Sequence, residues 1–276
     1  MLEAVADLYP WKPPVVLFRA LEWRGVYRRR GLLSAPMLDL GCGDGVIHRL
    51  FFGANGGVGI DVEPGPLVHA KRRMGKVVRA DAEQLPFRDA AFNTLFGNCS
   101  VEHVSNLARC LAEAARVLRP GGIFMATVPS GNWKSLYCWN RFYTHLGFPR
   151  LGRKIVDAHD RKMAHYNVYD SDEWARRLRQ AGLEPVGFDP YLTPAGARFT
   201  TLAESILALS FPFPGFFKPS GLFYFMVGVL RRLGGEAFWK RIFLRLVRPL
   251  YAQPVGADGI SGGVVVIAQK PSGYER

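Results

Sequence analysis

The chain has 276 residues, 49% of them hydrophobic and 21% charged, and a formal net charge of +13. This composition excludes a disordered chain and allows a substantial core, in one large domain or a domain with an elaboration. The positive excess favours anionic partners (nucleic acid, lipid headgroups or phosphorylated substrates) without choosing among them.

In chain order, the opening MLEAVADLYPWKPP has no basic start followed by an apolar run, so no secretory leader is expected. Residues 15–30 predict a helix, because Val15, Leu17, Phe18, Leu21 and Val26 alternate with Arg19, Arg24 and Arg28 at helical spacing. The region 1–35 is therefore expected to carry a basic amphipathic helix. Strands are predicted at 36–40, 57–62, 76–80, 92–97, 122–128, 183–189 and 262–269. Further helices are predicted at 45–52, 64–74, 104–118 and 171–181, the last capped by Ser171 and ended by Gly182. Short apolar strands alternating with helices imply an α/β fold whose parallel sheet is covered on both faces. Residues 191–259 are too many for a plain connection and are rich in Phe, Leu and Pro. They read as a helical, aromatic-rich insertion before the last strand. Four cysteines without a CxxC pair exclude a zinc ribbon and fit a reducing cytoplasm. No apolar run reaches the length of about 18 residues that a membrane span needs.

The stretch MLDLGCGDG, 37–45, runs from a strand into alternate glycines. Such a loop before a helix sets bare backbone N–H groups beside a ligand, and Asp39 adds a carboxylate at the strand end. A dinucleotide fingerprint would need glycine where Val46 stands, and the GK[ST] ending of a phosphate-binding loop is absent.

LDLGCGDG, GIDVEP, RADAEQLPFRDAAFN and EAARVLRPGG, in this order, resemble successive motifs of class I S-adenosylmethionine-dependent methyltransferases. The likeness covers about residues 36–130 and is greatest to the branch of quinone and small-molecule methylases. It implies a Rossmann-like, seven-stranded, mostly parallel sheet with an antiparallel last strand, formed by 36–190 and 260–270. S-adenosylmethionine is then the expected cofactor. The resemblance implies that Gly41 and Gly43 approach its methionine part and that Asp61, with Glu63 as the alternative, accepts from both ribose hydroxyls. Asp81 and the Ala82 N–H would meet the adenine, and Asn98 with Cys99 would lie beside the methyl group. Leu85–Phe87 reads as packing, and Cys42 as a small residue filling the loop.

The sulfonium methyl is intrinsically electrophilic, so placement of the acceptor is the main task, and a base is needed only for a protonated acceptor. Candidate bases and orienting groups are His103, which in the resembled family borders the acceptor, and His159, His165 and Tyr166 on a polar segment read as a lid. The spacing of His159, Asp160 and His165 matches no recognised ligand set, and no metal is expected. The place after the fourth strand reads GNCS, without the Pro-Pro-aromatic or Pro-Cys runs of nucleobase methylases of this fold, so nucleic acid is the less favoured partner.

In 236–250, Phe238, Ile242, Leu246 and Val247 lie near one helix face with Lys240, Arg241, Arg245 and Arg248 off it. That pattern suits either an interfacial helix on an anionic membrane or a subdomain packed on the sheet. The expected protein is a cytoplasmic methyltransferase, peripheral to the inner face of the membrane where its acceptor is a quinone, polyprenyl or glycolipid type. The alternatives are an RNA or protein methyltransferase, or a cofactor-binding module without turnover.

Overall fold

The computed structural model describes residues 1–9, 12–53, 56–207, 220–255 and 260–272. Its strands are β1 (Met37–Leu40), β2 (Gly57–Asp61), β3 (Val77–Arg79), β4 (Phe92–Asn98), β5 (Leu118–Pro129), β6 (Glu184–Pro190) and β7 (Gly263–Gln269), in the order β3-β2-β1-β4-β5-β7-β6. All seven fall where alternating apolar and turn residues predict them. β1 pairs in parallel with both β2 and β4, β2 with β3, and β4 with β5, whereas β7 runs antiparallel to β5. The expected mostly parallel sheet with an antiparallel last strand is therefore the observed one.

The helices are α1 (Leu2–Leu8), α2 (Pro13–Arg28), α3 (Val46–Phe52), α4 (Pro64–Met74), α5 (Leu107–Val117), α6 (Trp133–Leu136), α7 (Cys138–His145), α8 (Pro149–Lys162), α9 (Ser171–Gln180), α10 (Pro194–Leu207) and α11 (Ser220–Ala252). The chain divides into two compact units: Val26–Gly131, Arg161–Asp189 and Gly263–Arg276 form one, and Met1–Gly25, Asn132–Asp160 and Pro190–Gly262 the other.

In the sheet unit, β1 and β4 are buried along almost their whole length, as a parallel strand covered on both faces must be. α5 adds Leu107, Cys110, Leu111, Ala114 and Val117, all buried at helical spacing. The register sets Leu40 opposite both Ile60 and Gly97, so the C-terminal tips of β1, β2 and β4 end at one level. The chain reverses its strand order between β1 and β4, and sheets of this kind bind ligands at that switch point.

Two helix starts differ from expectation. α9 is capped by Asp170, whose Oδ1 accepts from the Glu173 N–H at 2.9 Å, and Ser171 is its first helical residue. The extended backbone of Asp170 brings its carboxylate over the first turn, and a carboxylate is the stronger acceptor at the positive helix end. α5 begins at Leu107 and not at 104, because Asn106 caps it by accepting from the Arg109 N–H. Residues Val101–His103 form a separate 3₁₀ turn ahead of it. Gly182, at φ +80°, follows α9 as predicted.

The other unit is helical. The single N-terminal helix expected from the sequence is two, α1 and α2. The apolar stripe of α2 is packed: Val16, Leu17, Ala20, Leu21 and Trp23 are buried, and so is Glu22, which accepts from Arg19 at 2.6 Å. α11 bends at Gly235, and its Leu244 and Val247 are buried. Its Lys240 pairs with Asp7 and its Arg248 with Glu3, both on α1. The aromatic, proline-rich run 211–225 lies largely outside the described residues.

One side chain joins α5 to the loop after β3. Arg116 donates to the carbonyls of Phe87 and Leu85 at 2.8 and 3.0 Å, and pairs with Asp89 and Glu113. The Leu85 N–H donates to Glu113 at 2.7 Å, Leu85 is buried, and Phe87 meets Phe92 edge-on. Leu85–Phe87 is thus packing, as expected. The hydrogen bond from Arg116 holds the Glu113 carboxyl below the ordinary glutamate range. A lowered folded value means that this stabilisation is present above about pH 4.3 and is lost as pH falls through the lowered value. Arg116→Ala is expected to cost about 2 kcal/mol at neutral pH. The gap from the parent chain, followed by denaturant melts, should narrow as pH drops below about 4.3.

Candidate functional site

The glycine loop leaves β1 at the level set by the sheet register. Gly41 has φ +69°, a conformation that favours glycine, and a Cβ there would stand 2.6 Å from the Ser100 Cβ. The loop is held to β2 by two bonds: the Cys42 N–H donates to the Ile60 carbonyl at 2.8 Å, and the Gly43 N–H donates to Asp61 Oδ2 at 2.9 Å. The other Asp61 oxygen accepts from the Glu63 N–H at 2.9 Å. Asp61 therefore shapes the loop as well as ending β2. Each carboxylate oxygen keeps a second lone pair for a ligand.

Beyond β3, Asp81 is exposed and its Oδ1 accepts from the Glu83 N–H at 2.8 Å. Glu83 accepts in turn from Ser105 Oγ and the Asn106 N–H, which hold its carboxyl below the usual range. Beyond β4, Cys99 has φ +46°, rare for a residue with a side chain. Its N–H donates to the Thr127 carbonyl and to Thr127 Oγ1, both at 3.1 Å. Backbone held in this way is common at binding sites.

These strand tips enclose a cleft of about 330 Å³, in the range of small-molecule sites. Gly41, Asp61, Asp81, Ala82 and His103 line it together, joined by Glu83, Cys99, Ser100 and Ser105. Gly43, in the same loop as Gly41, meets this lining through its bond to Asp61. Asn98 ends β4, buried beside that wall. Asp39 lies beneath the loop, 3% exposed, with Oδ2 3.2 Å from Nδ1 of the fully buried His48. Burial pushes the Asp39 carboxyl up, and the His48 hydrogen bond partly offsets this. Cys42 is buried and its thiol is pushed up by burial, as befits a filler of the loop.

His103 Nδ1 is 3.1 Å from the Ala164 carbonyl, and its ring stacks on His165 at 5.5 Å. The neighbouring Tyr166 is exposed, with its N–H donating to the Glu102 carbonyl at 2.9 Å. His159 belongs to α8 in the helical unit, and not to a segment ahead of a helix, with Nδ1 3.3 Å from the Tyr137 hydroxyl. The sequence pattern failed there because α8 buries Gly152, Val156 and Asp160, a face with a single apolar side chain of any size.

Ser100 was not among the expected site residues. It backs Gly41, and its Oγ is buried with no hydrogen-bond partner among the described residues. Its signal in the sequence is only its place, two residues past a strand tip. The set of donors and acceptors fits an adenosyl amino acid. Two carboxylates stand on adjacent strand tips, bare backbone lies at Gly41, a Cβ-free approach is kept open, and an orphaned hydroxyl stands in the wall.

Residues 38–126 match the methyltransferase domain family. The chain is 30% identical over 198 residues to a demethylmenaquinone methyltransferase of Tropheryma whipplei, covering 67% of this chain and 82% of that protein. It is 36% identical over 104 residues to a malonyl-[acyl-carrier protein] O-methyltransferase of Serratia marcescens, covering 36% of this chain and 41% of that protein. In fold it is similar to the structure of a sarcosine dimethylglycine methyltransferase from Galdieria sulphuraria, with a TM-score of 0.55 at 16% identity over 92% of this chain and 86% of that one.

Asp61→Ala is expected to weaken binding of S-adenosylmethionine and S-adenosylhomocysteine roughly tenfold to a hundredfold, with the circular dichroism spectrum unchanged. Isothermal calorimetry reads both affinities. Equal affinity in the variant would remove Asp61 from the site.

Proposed function

This chain belongs to the class I S-adenosylmethionine-dependent methyltransferases, and on that premise we propose that it methylates a small, quinone-type acceptor carrying a lipid tail, by in-line displacement. The observation that carries the donor half is the single cleft that gathers the glycine loop, Asp61, Asp81 with Ala82, and His103. The acceptor class is supported by the alignment with the demethylmenaquinone methyltransferase, which reaches across 82% of that protein. The acyl-carrier-protein relative matches over 36% of this chain, too little to carry an acceptor class.

In this reading Asp61 takes the ribose hydroxyls on its outer lone pairs, Asp81 and the Ala82 N–H receive the adenine edge, and Gly41 and Gly43 give close backbone approach. Asn98 and Ser100 stand toward the reacting end, and Asp39 supports the loop from below. Bound there, S-adenosylmethionine supplies an electrophilic methyl on sulfur.

His103 is the first candidate for moving the acceptor's proton. A carbonyl only accepts, so Nδ1 opposite Ala164 carries the hydrogen, and Nε2, 3.8 Å from Glu102 Oε1, is the nitrogen that would take a proton. His165, stacked on it, limits its rotation, and Tyr166 is placed two peptide bonds further from Ala164. His159 is retained as an orienting group of the helical unit, through Tyr137. The aromatic-rich segment 191–259 is read as shelter for an apolar tail, and the net charge of +13 as attraction to an anionic membrane surface.

Incubation of the chain with methyl-labelled S-adenosylmethionine and reduced quinones of graded tail length should place label in the quinone and release S-adenosylhomocysteine. Label only in RNA or protein would overturn the acceptor assignment. With the labelled acceptor found, His103→Asn is expected to lower kcat about 10²–10⁴-fold while leaving cofactor affinity unchanged. Lost stability with kcat intact would reduce His103 to a packing residue.

A further inference from the structure

At the tip of one hairpin of the helical unit, exposed apolar side chains stand among cations that no ion pair engages among the described residues. α7 and α8 form a hairpin through the turn 146–148. At its tip Phe142, Leu146, Phe148 and Leu151 are exposed by 49, 52, 60 and 44%. No residue of α7 is fully buried. An exposed cluster of large apolar groups marks an interaction site when a charged rim surrounds it.

Here the rim is wholly cationic. Arg141, Arg150, Arg153 and Lys154 flank the tip, all exposed, and the chain has no Asp or Glu between Trp133 and Val156. Among the described residues no ion pair engages these four. Other cations of the unit are paired. Lys134 is paired with Asp157, Lys240 with Asp7 and Arg248 with Glu3. The apolar stripe of α2 is core.

The tip is held by backbone geometry and not by burial. The Phe148 N–H donates to the Tyr143 carbonyl at 2.7 Å and the Gly147 N–H to Thr144 at 3.1 Å. At Gly152 a Cβ would come within 2.8 Å of the Asn140 carbonyl oxygen, so glycine is what lets α8 lie close on α7. A recess of about 500 Å³ opens beside the turn, walled by Phe148, Leu151, Arg150 and Lys154. Two cations and two apolar groups around one recess suit a phosphodiester with acyl chains beneath it.

We infer that the α7–α8 hairpin is an interfacial wedge that seats Leu146 and Phe148 in the headgroup boundary of an anionic phospholipid bilayer. Two of the four exposed groups, Leu146 and Leu151, are aliphatic and give a nucleobase no stacking face, whereas a bilayer boundary takes all four, which favours lipid over RNA for the same cations. The wedge lies on the surface and does not cross: among the described residues no helix is long and apolar enough to span. The inference rests on the lipid-facing part of the proposed function, and the test separates the two.

The full chain is floated with vesicles of phosphatidylcholine alone and of phosphatidylcholine with phosphatidylglycerol, at low and high salt. Flotation is expected only with phosphatidylglycerol and is expected to weaken with salt. Leu146→Ser with Phe148→Ser should lower the partition coefficient at least tenfold. Arg150→Gln with Lys154→Gln should lower it roughly fivefold per charge. Leu246→Ser on α11 should float like the parent chain, and calorimetric binding of S-adenosylmethionine reports that each variant is folded. Failure of the parent chain to float, or flotation of both hairpin variants at parent levels, overturns the wedge. A chain that methylates a detergent-dispersed quinol yet does not float also overturns it, while sparing the acceptor class. A chain that floats through the hairpin but leaves every quinol unmethylated keeps the wedge and overturns the acceptor class.

Discussion

The site depends on one carboxylate shared by two pieces of main chain. Asp61 accepts from Gly43 with one oxygen and from Glu63 with the other, so the tip of β2, the glycine loop and the start of the α4 approach are set by a single side chain. Charge-assisted bonds to backbone N–H groups are short and directional, and two of them on one planar group fix its plane. The cleft therefore has a wall whose orientation is decided before any ligand arrives. What the sheet contributes is level: Leu40 stands opposite Ile60 and Gly97, and the loops that follow begin at one height.

The sheet was legible because its strands are buried on both faces and bounded by glycine, proline and acidic residues, which leaves few other readings of stretches such as Phe92–Asn98. The residues named from the sequence for the cofactor stand at a series of strand ends, and the cleft gathers four of them, Gly41, Asp61, Asp81 and Ala82, together with His103. Asp39 shows where that logic thins. A strand-end carboxylate invites a ligand role, yet its side chain turns under the loop to His48, a partner nine residues on that no local pattern announces. Ser100 was invisible for the same reason: its importance lies in what stands across from it.

The helical unit was legible only in part, and the cause is physical. A helix is read from an apolar stripe, but α8 turns Gly152 and Asp160 inward, and the closeness of its contact with α7 comes from a missing side chain. Conversely, stripes with cations beside them look alike whether they face a bilayer or a neighbouring helix. α2 uses its stripe for packing and α11 part of its own, Leu244 and Val247, with acids of α1 meeting Lys240 and Arg248. The α7–α8 hairpin leaves its apolar groups and its cations exposed together, and because the apolar groups are spread over two helix ends and a turn they make no periodic signal.

The closeness of Gly41 to Ser100 reaches beyond the shape of one loop. A methyl group at the first position would need the volume that the Ser100 Cβ already fills, 2.6 Å away, although the two belong to different strands and different motifs. Substitution at 41 is thus conditional on the residue at 100, a one-way epistatic link between two motifs far apart in the chain.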